Sequence, residues 1–260
     1  MKPSRAEQSV AADRGRLLAV VGMAVRPGGP GRMGFGRSVD GQHPTGQKAA
    51  STMSKLLDQC RKPTGWLGRL FLWIMNSGHS KLTEWGLQQI SLGKRDTILD
   101  VGCGGGVTVR KLAAVAAEGK VYGIDHSEQS VAVARRTNRQ GIAAGRVEIR
   151  QAAVSGLPFS DGLFDLVTAV ETHYFWPDLP ADMREVLRVL KPGGTLVIMA
   201  EAYNGGKHGE RLQRVAELTK MVFLTADEHR DLFSNAGYSD VRVMERPDKG
   251  WICAIGRKPL

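Results

Sequence analysis

The sequence has few cysteines and few long apolar runs. Three cysteines occur among 260 residues, at Cys60, Cys103 and Cys253. Their number is odd and their spacing fits no zinc motif, which argues against a disulfide framework and predicts no metal site. Unpaired thiols are typical of a reducing compartment, and we therefore expect a cytoplasmic location.

The apolar run Leu17–Val25 is nine residues long. A run of this length is too short to cross a bilayer. It has the length of a signal-peptide core, but Glu7 and Asp13 lie in the segment that would have to be basic, which argues against export.

Charge and composition separate the first part of the chain from the rest. Residues 1–52 carry eight Lys and Arg against three Asp and Glu, which is half of the formal net charge of +10. This segment is rich in glycine and proline and nearly lacks aromatic side chains. It cannot bury enough apolar surface to offset the entropy of ordering, and we expect a disordered basic extension. Met53 is an alternative natural start.

Residues 53–260 are expected to form one domain, with a helical cap at 53–95 and an α/β core at 96–260. In the cap, Gly65–Met75 has apolar residues at helical spacing, and Lys81–Ile90 has the same pattern. The first of these helices suits either the edge of the core or a membrane surface, and its single Arg69 favours the core. The loop between the two helices carries His79.

From Asp96 onward, short β-branched runs alternate with helical patterns, which predicts a parallel sheet with helices on both faces. Ser127 suits the cap of the second helix and Gly141 its end. The expected strands are Thr97–Gly102, Lys120–Asp125, Val147–Arg150, Phe164–Val170, Thr195–Ala200, Val241–Glu245 and Trp251–Gly256. The expected helices are Val107–Ala117, Glu128–Gln140, Ala181–Leu190 and Asp227–Asn235.

A glycine-rich turn follows the first strand in the stretch TILDVGCGGGVTV, residues 97–109. Val107 stands where a dinucleotide fingerprint needs its third glycine, so a nicotinamide cofactor is disfavoured. Asp100 precedes the glycines, where an anion opposes phosphate and favours an ammonium group. Asp125 ends the second strand, where a carboxylate can accept both ribose hydroxyls. A nucleoside with a cationic, amino-acid-like portion meets these requirements, and S-adenosylmethionine is such a molecule.

Four motifs carry a family resemblance, and they cover roughly residues 95–200. They are LDVGCGGG (99–106), VYGIDHS (121–127), LPFSDGLFDLV (157–167) and LRVLKPGGTLVI (187–198). With these motifs in this order the chain resembles the class I S-adenosylmethionine-dependent methyltransferases. The resemblance implies a Rossmann-like, doubly wound, seven-stranded sheet of order 3-2-1-4-5-7-6 with the last strand antiparallel.

The resemblance also implies a set of cofactor-binding residues. The glycine turn would line the methionine portion, Asp100 would hold the turn or the amino group, and Asp125 would take the ribose hydroxyls. One departure concerns adenine: Ala152 stands where many members have an aspartate, so the backbone at Ala153 or the Gln151 amide would substitute. The full expected set is Asp100, Gly102, Cys103, Gly104, Gly106, Asp125, His126, Ser127, Ala153, Val154, Glu171 and Thr172.

The methyl acceptor should lie beyond the fourth strand, at Val170–Pro177, a run that mixes ionisable groups with three aromatic residues. Methyl transfer from a sulfonium draws on orientation and desolvation, and it needs a base only when the acceptor must lose a proton. His173 is the first candidate base and His79 the second. Tyr174 could pack over the substrate or the sulfonium.

The sequence therefore predicts transfer of a methyl group from S-adenosylmethionine to a small molecule, with S-adenosylhomocysteine as the product. It leaves open a lipid or quinone methyltransferase at a membrane surface and a non-catalytic cofactor-binding partner subunit. Nucleic acid is disfavoured, because there is no dense basic stripe with aromatics and no Asn/Asp-Pro-Pro-Tyr/Phe tetrapeptide after the fourth strand. The oligomeric state stays open.

Overall fold

The computed structural model describes residues 80–201, 203–205 and 221–260. The predictions for the extension at 1–52, for the helix at 65–75 and for His79 lie outside the described residues. Within the described ranges, no helix is long and apolar enough to cross a membrane.

Seven strands form one sheet, in which the order of hydrogen-bonded neighbours is β3-β2-β1-β4-β5-β7-β6. Strand β7 is antiparallel to both of its neighbours, and the other pairs are parallel. The predicted order and the antiparallel last strand are confirmed. The strands are β1 (Thr97–Val101), β2 (Lys120–Asp125), β3 (Val147–Gln151), β4 (Phe164–Val170), β5 (Leu190–Ala200), β6 (Ser239–Arg246) and β7 (Trp251–Arg257).

Helices cover both faces of the sheet. They are α1 (Ser80–Leu87), α2 (Val107–Val115), α3 (Glu128–Thr137), α4 (Arg139–Ala143), α5 (Leu179–Val189) and α6 (Ala226–Asn235). Neighbouring residues of a strand point to opposite faces, so Leu99 joins a core with α5 and α6 residues while Ile98 joins a second core with residues of α1, α2 and α3. Short 3₁₀ helices, Val154–Gly156 and His173–Phe175, follow β3 and β4.

The prediction for the second helix of the core is wrong at its C-terminal end. Instead of running to Gln140, α3 ends at Thr137, and Gly141 lies inside the short helix α4 rather than ending a helix. The break between the two helices falls at Asn138, whose side chain donates hydrogen bonds to the carbonyl oxygens of Gly106 and Ala134. Gly141 serves a packing purpose, because a Cβ there would lie 2.6 Å from Cγ2 of Val147 on β3. The predicted Ser127 cap is confirmed, since its side chain accepts a hydrogen bond from the Ser130 N–H.

The fifth strand begins five residues before the predicted Thr195. Leu190 already pairs with Phe164, and the register then shifts until Leu166 pairs with Thr195. The intervening Lys-Pro-Gly-Gly segment is therefore an irregularity within the strand rather than a turn ahead of it. A Cβ on Gly194 would lie 2.9 Å from the carbonyl oxygens of Lys191 and Phe164, so the bulge requires glycine there.

Candidate active site

The glycine turn connects β1 to α2 at the carboxyl edge of the sheet. Gly102, Gly104 and Gly106 have φ values of 71°, 51° and 78°, in the left-handed region that favours glycine. The Cys103 N–H donates to the Ile124 carbonyl at 2.8 Å, which ties the turn to β2. Cys103 itself is buried, and burial raises the pKa of its thiol well above the ordinary value.

Asn138 stabilises the turn from the break between α3 and α4. Its side-chain amide donates to the carbonyl oxygens of Gly106 and Ala134, both at 2.9 Å, and its side chain is buried. Sequence reasoning missed this residue, because its partner Gly106 is 32 positions away in the chain. The only local signal was an asparagine near the expected end of a helix.

The carboxyl ends of β1 and β2 bring two buried carboxylates to this turn. Asp125 accepts from the Gly104 N–H at 3.0 Å through one oxygen and from the Ser127 N–H at 2.8 Å through the other. Asp100 accepts from the Thr168 hydroxyl at 2.7 Å. Burial raises the pKa of Asp100 to about 7, the Thr168 hydrogen bond opposes this, and the negative charge of Asp125 adds to it. A cation beside Asp100 would favour its ionised form.

The residues expected around adenine lie beyond the end of β2 and β3. His126 is exposed, whereas Ser127 is buried and its oxygen caps α3. Gln151 donates its side-chain amide to the His126 carbonyl at 3.1 Å. Ala153 is exposed and Val154 is buried at the start of the 3₁₀ helix. This edge therefore offers an apolar side chain and backbone groups, together with the exposed ring of His126.

Glu171 and Thr172 follow β4, and Thr172 reaches the glycine turn. A Cβ on Gly102 would lie 2.2 Å from Oγ1 of Thr172, so this hydroxyl occupies the space that a side chain at 102 would need. Glu171 has φ 57°, an uncommon backbone conformation for a residue with a side chain. Such conformations persist where the surroundings enforce them, and they concentrate at functional sites.

The Glu171 carboxylate is held from two sides. Tyr174 donates its hydroxyl at 2.5 Å, and the Glu201 N–H donates to the other oxygen. Desolvation raises the pKa of Glu171 to about 7, and these two hydrogen bonds lower it less than desolvation raises it. The Tyr174 hydroxyl is thus directed at Glu171, and its buried ring packs against His173 and Phe223.

His173 begins the 3₁₀ helix after β4 and is almost fully buried, with 1% of its surface exposed. Its Nε2 lies 3.2 Å from Nε2 of His229, a fully buried residue of α6. Sequence reasoning missed His229. Its signal was a histidine four positions before the buried Phe233, on the helix face that meets the core.

The structure thus brings together the predicted residues of the glycine turn, Asp100, Asp125 and Thr172, with Glu171 next to Thr172 in the chain. It sets Ala153, Val154 and His126 at the neighbouring strand ends. Within the described part of the chain, no group of three or more His, Cys, Asp or Glu side chains is placed to hold a metal ion. Two carboxylates fit a ligand that combines hydroxyl donors with a cationic group.

Several known proteins are similar to this chain. A family model described as a methyltransferase domain matches residues 99–198. The 27-O-demethylrifamycin SV methyltransferase of Amycolatopsis mediterranei is 34% identical over 188 residues, which cover 68% of this chain and 68% of that protein. The O-methyltransferase cnsE of Penicillium expansum is 32% identical over 166 residues, or 61% of this chain and 59% of that protein.

A solved structure supports the fold. The S-adenosylmethionine-dependent methyltransferase of Aquifex aeolicus has a TM-score of 0.58 and 22% identity, covering 80% of this chain and 98% of that one. At this identity the likeness concerns the fold alone.

A doubly wound sheet with acidic residues at two adjacent strand ends around a glycine turn defines a Rossmann-like cofactor-binding protein. Within that class, the chain belongs to the class I S-adenosylmethionine-dependent methyltransferases. The chain spans 59% of the length of the Penicillium relative.

Proposed function

We propose that this protein transfers a methyl group from S-adenosylmethionine to a small-molecule acceptor. The observation that carries the proposal is the pair of buried carboxylates, Asp100 and Asp125, at the glycine turn. The names of the Amycolatopsis and Penicillium relatives, both methyltransferases and one named for a demethylrifamycin, support a small-molecule acceptor.

In this proposal the cofactor lies across the carboxyl ends of β1 and β2. Asp100 faces the ammonium group, and Asp125 accepts from the ribose hydroxyls. The glycine turn, from Gly102 to Gly106, lines the methionine portion through its backbone. S-adenosylmethionine supplies an electrophilic methyl group on a positively charged sulfur.

The adenine portion is assigned to the next strand ends. His126, Ser127, Ala153 and Val154 line it, and apolar packing against Val154 makes up for the missing carboxylate at Ala152. Gln151 contributes by holding the His126 backbone.

Residues after β4 complete the site on the acceptor side. Glu171 and Thr172 contact the cofactor, with Thr172 pressed against Gly102. His173 is the proposed base, because it follows β4 on the acceptor side of the site. Burial lowers its pKa and so keeps its ring neutral. Tyr174 shapes the site through its hydrogen bond to Glu171. His79, the other candidate base, lies outside the described residues and stays a prediction.

We further propose that residues 53–260 form the methyltransferase domain. The described ranges within it contain the whole sheet and the residues of the proposed cofactor site, which supports this assignment.

The test is a transfer assay with tritium-labelled methyl donor. Purified protein and labelled S-adenosylmethionine are incubated in four separate reactions. Each reaction contains one source of acceptor: a metabolite extract, total RNA, a protein extract or liposomes containing quinone. We expect label in the small-molecule fraction. Label confined to RNA or protein would contradict the proposal, and label confined to the liposome fraction would favour the membrane-surface alternative. Cofactor binding without label in any fraction would favour the non-catalytic subunit.

A further inference from the structure

Two buried histidines, His173 and His229, contact each other between the segment after β4 and helix α6. Their Nε2 atoms are 3.2 Å apart, and their ring centroids are 5.2 Å apart at an interplanar angle of 53°. The exposed fraction is 1% for His173 and 0% for His229. A hydrogen bond between two imidazole nitrogens needs one donor and one acceptor, so the two rings must differ in the position of their protons.

The carbonyl of Thr225 decides which ring donates. Nδ1 of His229 lies 2.7 Å from this carbonyl oxygen, which can only accept. Nδ1 of His229 therefore carries the proton, and in the neutral ring Nε2 carries a lone pair. That lone pair accepts from the N–H of His173 at Nε2. The proton of neutral His173 is thus held on Nε2.

This arrangement leaves the lone pair of His173 on Nδ1. This atom is buried, and it has no hydrogen-bond partner among the described residues. Such an atom is uncommon, because leaving a buried polar atom unpaired costs free energy. A lone pair held in one place inside the protein is suited to take a proton from a substrate.

Electrostatics keeps the pair neutral. Burial is the main cause that lowers the pKa of both rings, and a charge on either ring would lower the pKa of the other. Glu228 on α6 and Glu245 on β6 face His229, and together with the Thr225 carbonyl they raise its pKa, which burial outweighs. Neutral rings are the state in which His229 can accept and His173 can act as a base.

We propose that His229 is a positioning residue that fixes the proton of His173 on Nε2 and so presents Nδ1 as the base for methyl transfer. This inference rests on the function proposed above. In the step, Nδ1 takes the proton of an acceptor O–H or N–H. The electron pair of the acceptor atom forms the bond to the methyl carbon, and the methyl–sulfur bond breaks with its pair going to sulfur. The proton later leaves His173 for water.

A purely structural pair would also fill the space between α6 and the 3₁₀ helix. The two roles make different demands on His229. A structural role requires only that His229 fills this space and contacts the Thr225 carbonyl. A role in positioning His173 requires that Nε2 of His229 accepts a hydrogen bond.

The first experiment reads the protons directly and needs no acceptor. Protein labelled with ¹⁵N-histidine is studied by long-range ¹H–¹⁵N correlation at neutral pH, and signals are assigned with His173→Gln and His229→Gln. We expect a proton on Nε2 of His173 and on Nδ1 of His229. A proton on Nδ1 of His173 would overturn the proposal.

The second experiment compares two amides of different reach. In His229→Gln the amide oxygen can take the place of Nε2 and accept from His173. In His229→Asn the shorter amide reaches only the position of Nδ1 and can serve only the Thr225 carbonyl. Using the acceptor found in the labelling survey, we expect His229→Gln to keep kcat within about threefold of wild type. We expect His229→Asn to lower it by tenfold or more, in line with the usual contribution of a base, while KM for the methyl donor stays unchanged.

Thermal unfolding of both variants separates the two roles. If His229 were only structural, His229→Asn would be the more stable and the more active variant, and that order would overturn the proposal. A parallel loss of kcat and stability in both variants would overturn it too. Failure of the proposed function is a different result: wild-type protein would label no small molecule, while the protons of the two rings could still be read.

Discussion

At the scale of single residues, Asp125 has two hydrogen bonds to lose. It accepts from Gly104 and Ser127, and so joins the glycine turn to the first turn of α3. In Asp125→Asn, an N–H₂ group must face one of these two N–H donors. We expect the affinity for S-adenosylmethionine, measured by calorimetry, to fall about 10- to 100-fold, the cost of one or two hydrogen bonds to a charged group.

The matched control is Asp248→Asn in the turn between β6 and β7, where the side chain is 61% exposed. Affinity should be unchanged there. Unchanged affinity in Asp125→Asn as well would contradict the assignment of the ribose site.

Glu171 predicts a dependence of stability on pH. Its pKa rises from 4.5 to about 7 on folding. The folded protein therefore holds this proton more tightly than the unfolded chain does. The contribution to stability is full below about pH 4.5 and is lost as the pH rises through 7. Asp100, whose pKa is also raised to about 7, acts in the same direction.

In Glu171→Gln this titration is absent. We expect the free energy of unfolding without ligand, measured by urea denaturation, to fall less between pH 5 and pH 7.5 than in wild type, by an amount on the order of 1–3 kcal/mol. Glu118→Gln, a surface change in an ion pair with Arg95, serves as the control and should follow the wild-type slope. Parallel curves for all three proteins would refute the shifted pKa.

At the scale of elements, the contact of α4 with β3 depends on the absence of a side chain at Gly141. A Cβ at Gly141 would lie 2.6 Å from Cγ2 of Val147, a stiff, buried residue. We expect Gly141→Ala to lower the free energy of unfolding by about 1–3 kcal/mol, as overpacking usually does. Gly156→Ala is the matched control, because nothing lies within 4 Å of its Cβ position. Equal stability of the two variants would show that α4 can shift away from the sheet.

The same elements show what sequence reasoning could reach. Alternating strands and helices predicted a parallel sheet with helices on both faces, because these signals are local, whereas the strand order was predicted from the resemblance to the family. The break at Asn138 and the early start of β5 were missed, since both depend on distant partners. Asn138 bonds to Gly106, and the β5 bulge forms against Phe164.

The candidate site divides in the same way. Asp100 and Asp125 could be found because strand ends at one edge of a parallel sheet converge. His229 could not, because its contact to His173 joins residues 56 positions apart. The sequence predicted the helix that carries His229 and assigned no role to this residue.

At the scale of the whole molecule, the sheet order predicts a gradient of local stability. β1 and β4 lie inside the sheet with apolar cores on both faces, whereas β3 and β6 are its edges. Local opening is easiest where fewest buried contacts hold a strand. In hydrogen exchange we expect the amides of β1 and β4 to exchange slowest, with those of β6 the fastest among the strands. Protection of β6 equal to that of β4 would contradict this order and would indicate that the edge is covered.

The position of β7 also has a consequence for folding. Among the described strands, β7 is the only neighbour of β6, and it joins β6 to β5. A folding intermediate in which β7 has not docked therefore holds β6 with both edges unpaired, and the edge of β5 is open as well. Unpaired strand edges are templates for aggregation. Docking of β7 is thus the step that covers the edge of β5 and one edge of β6.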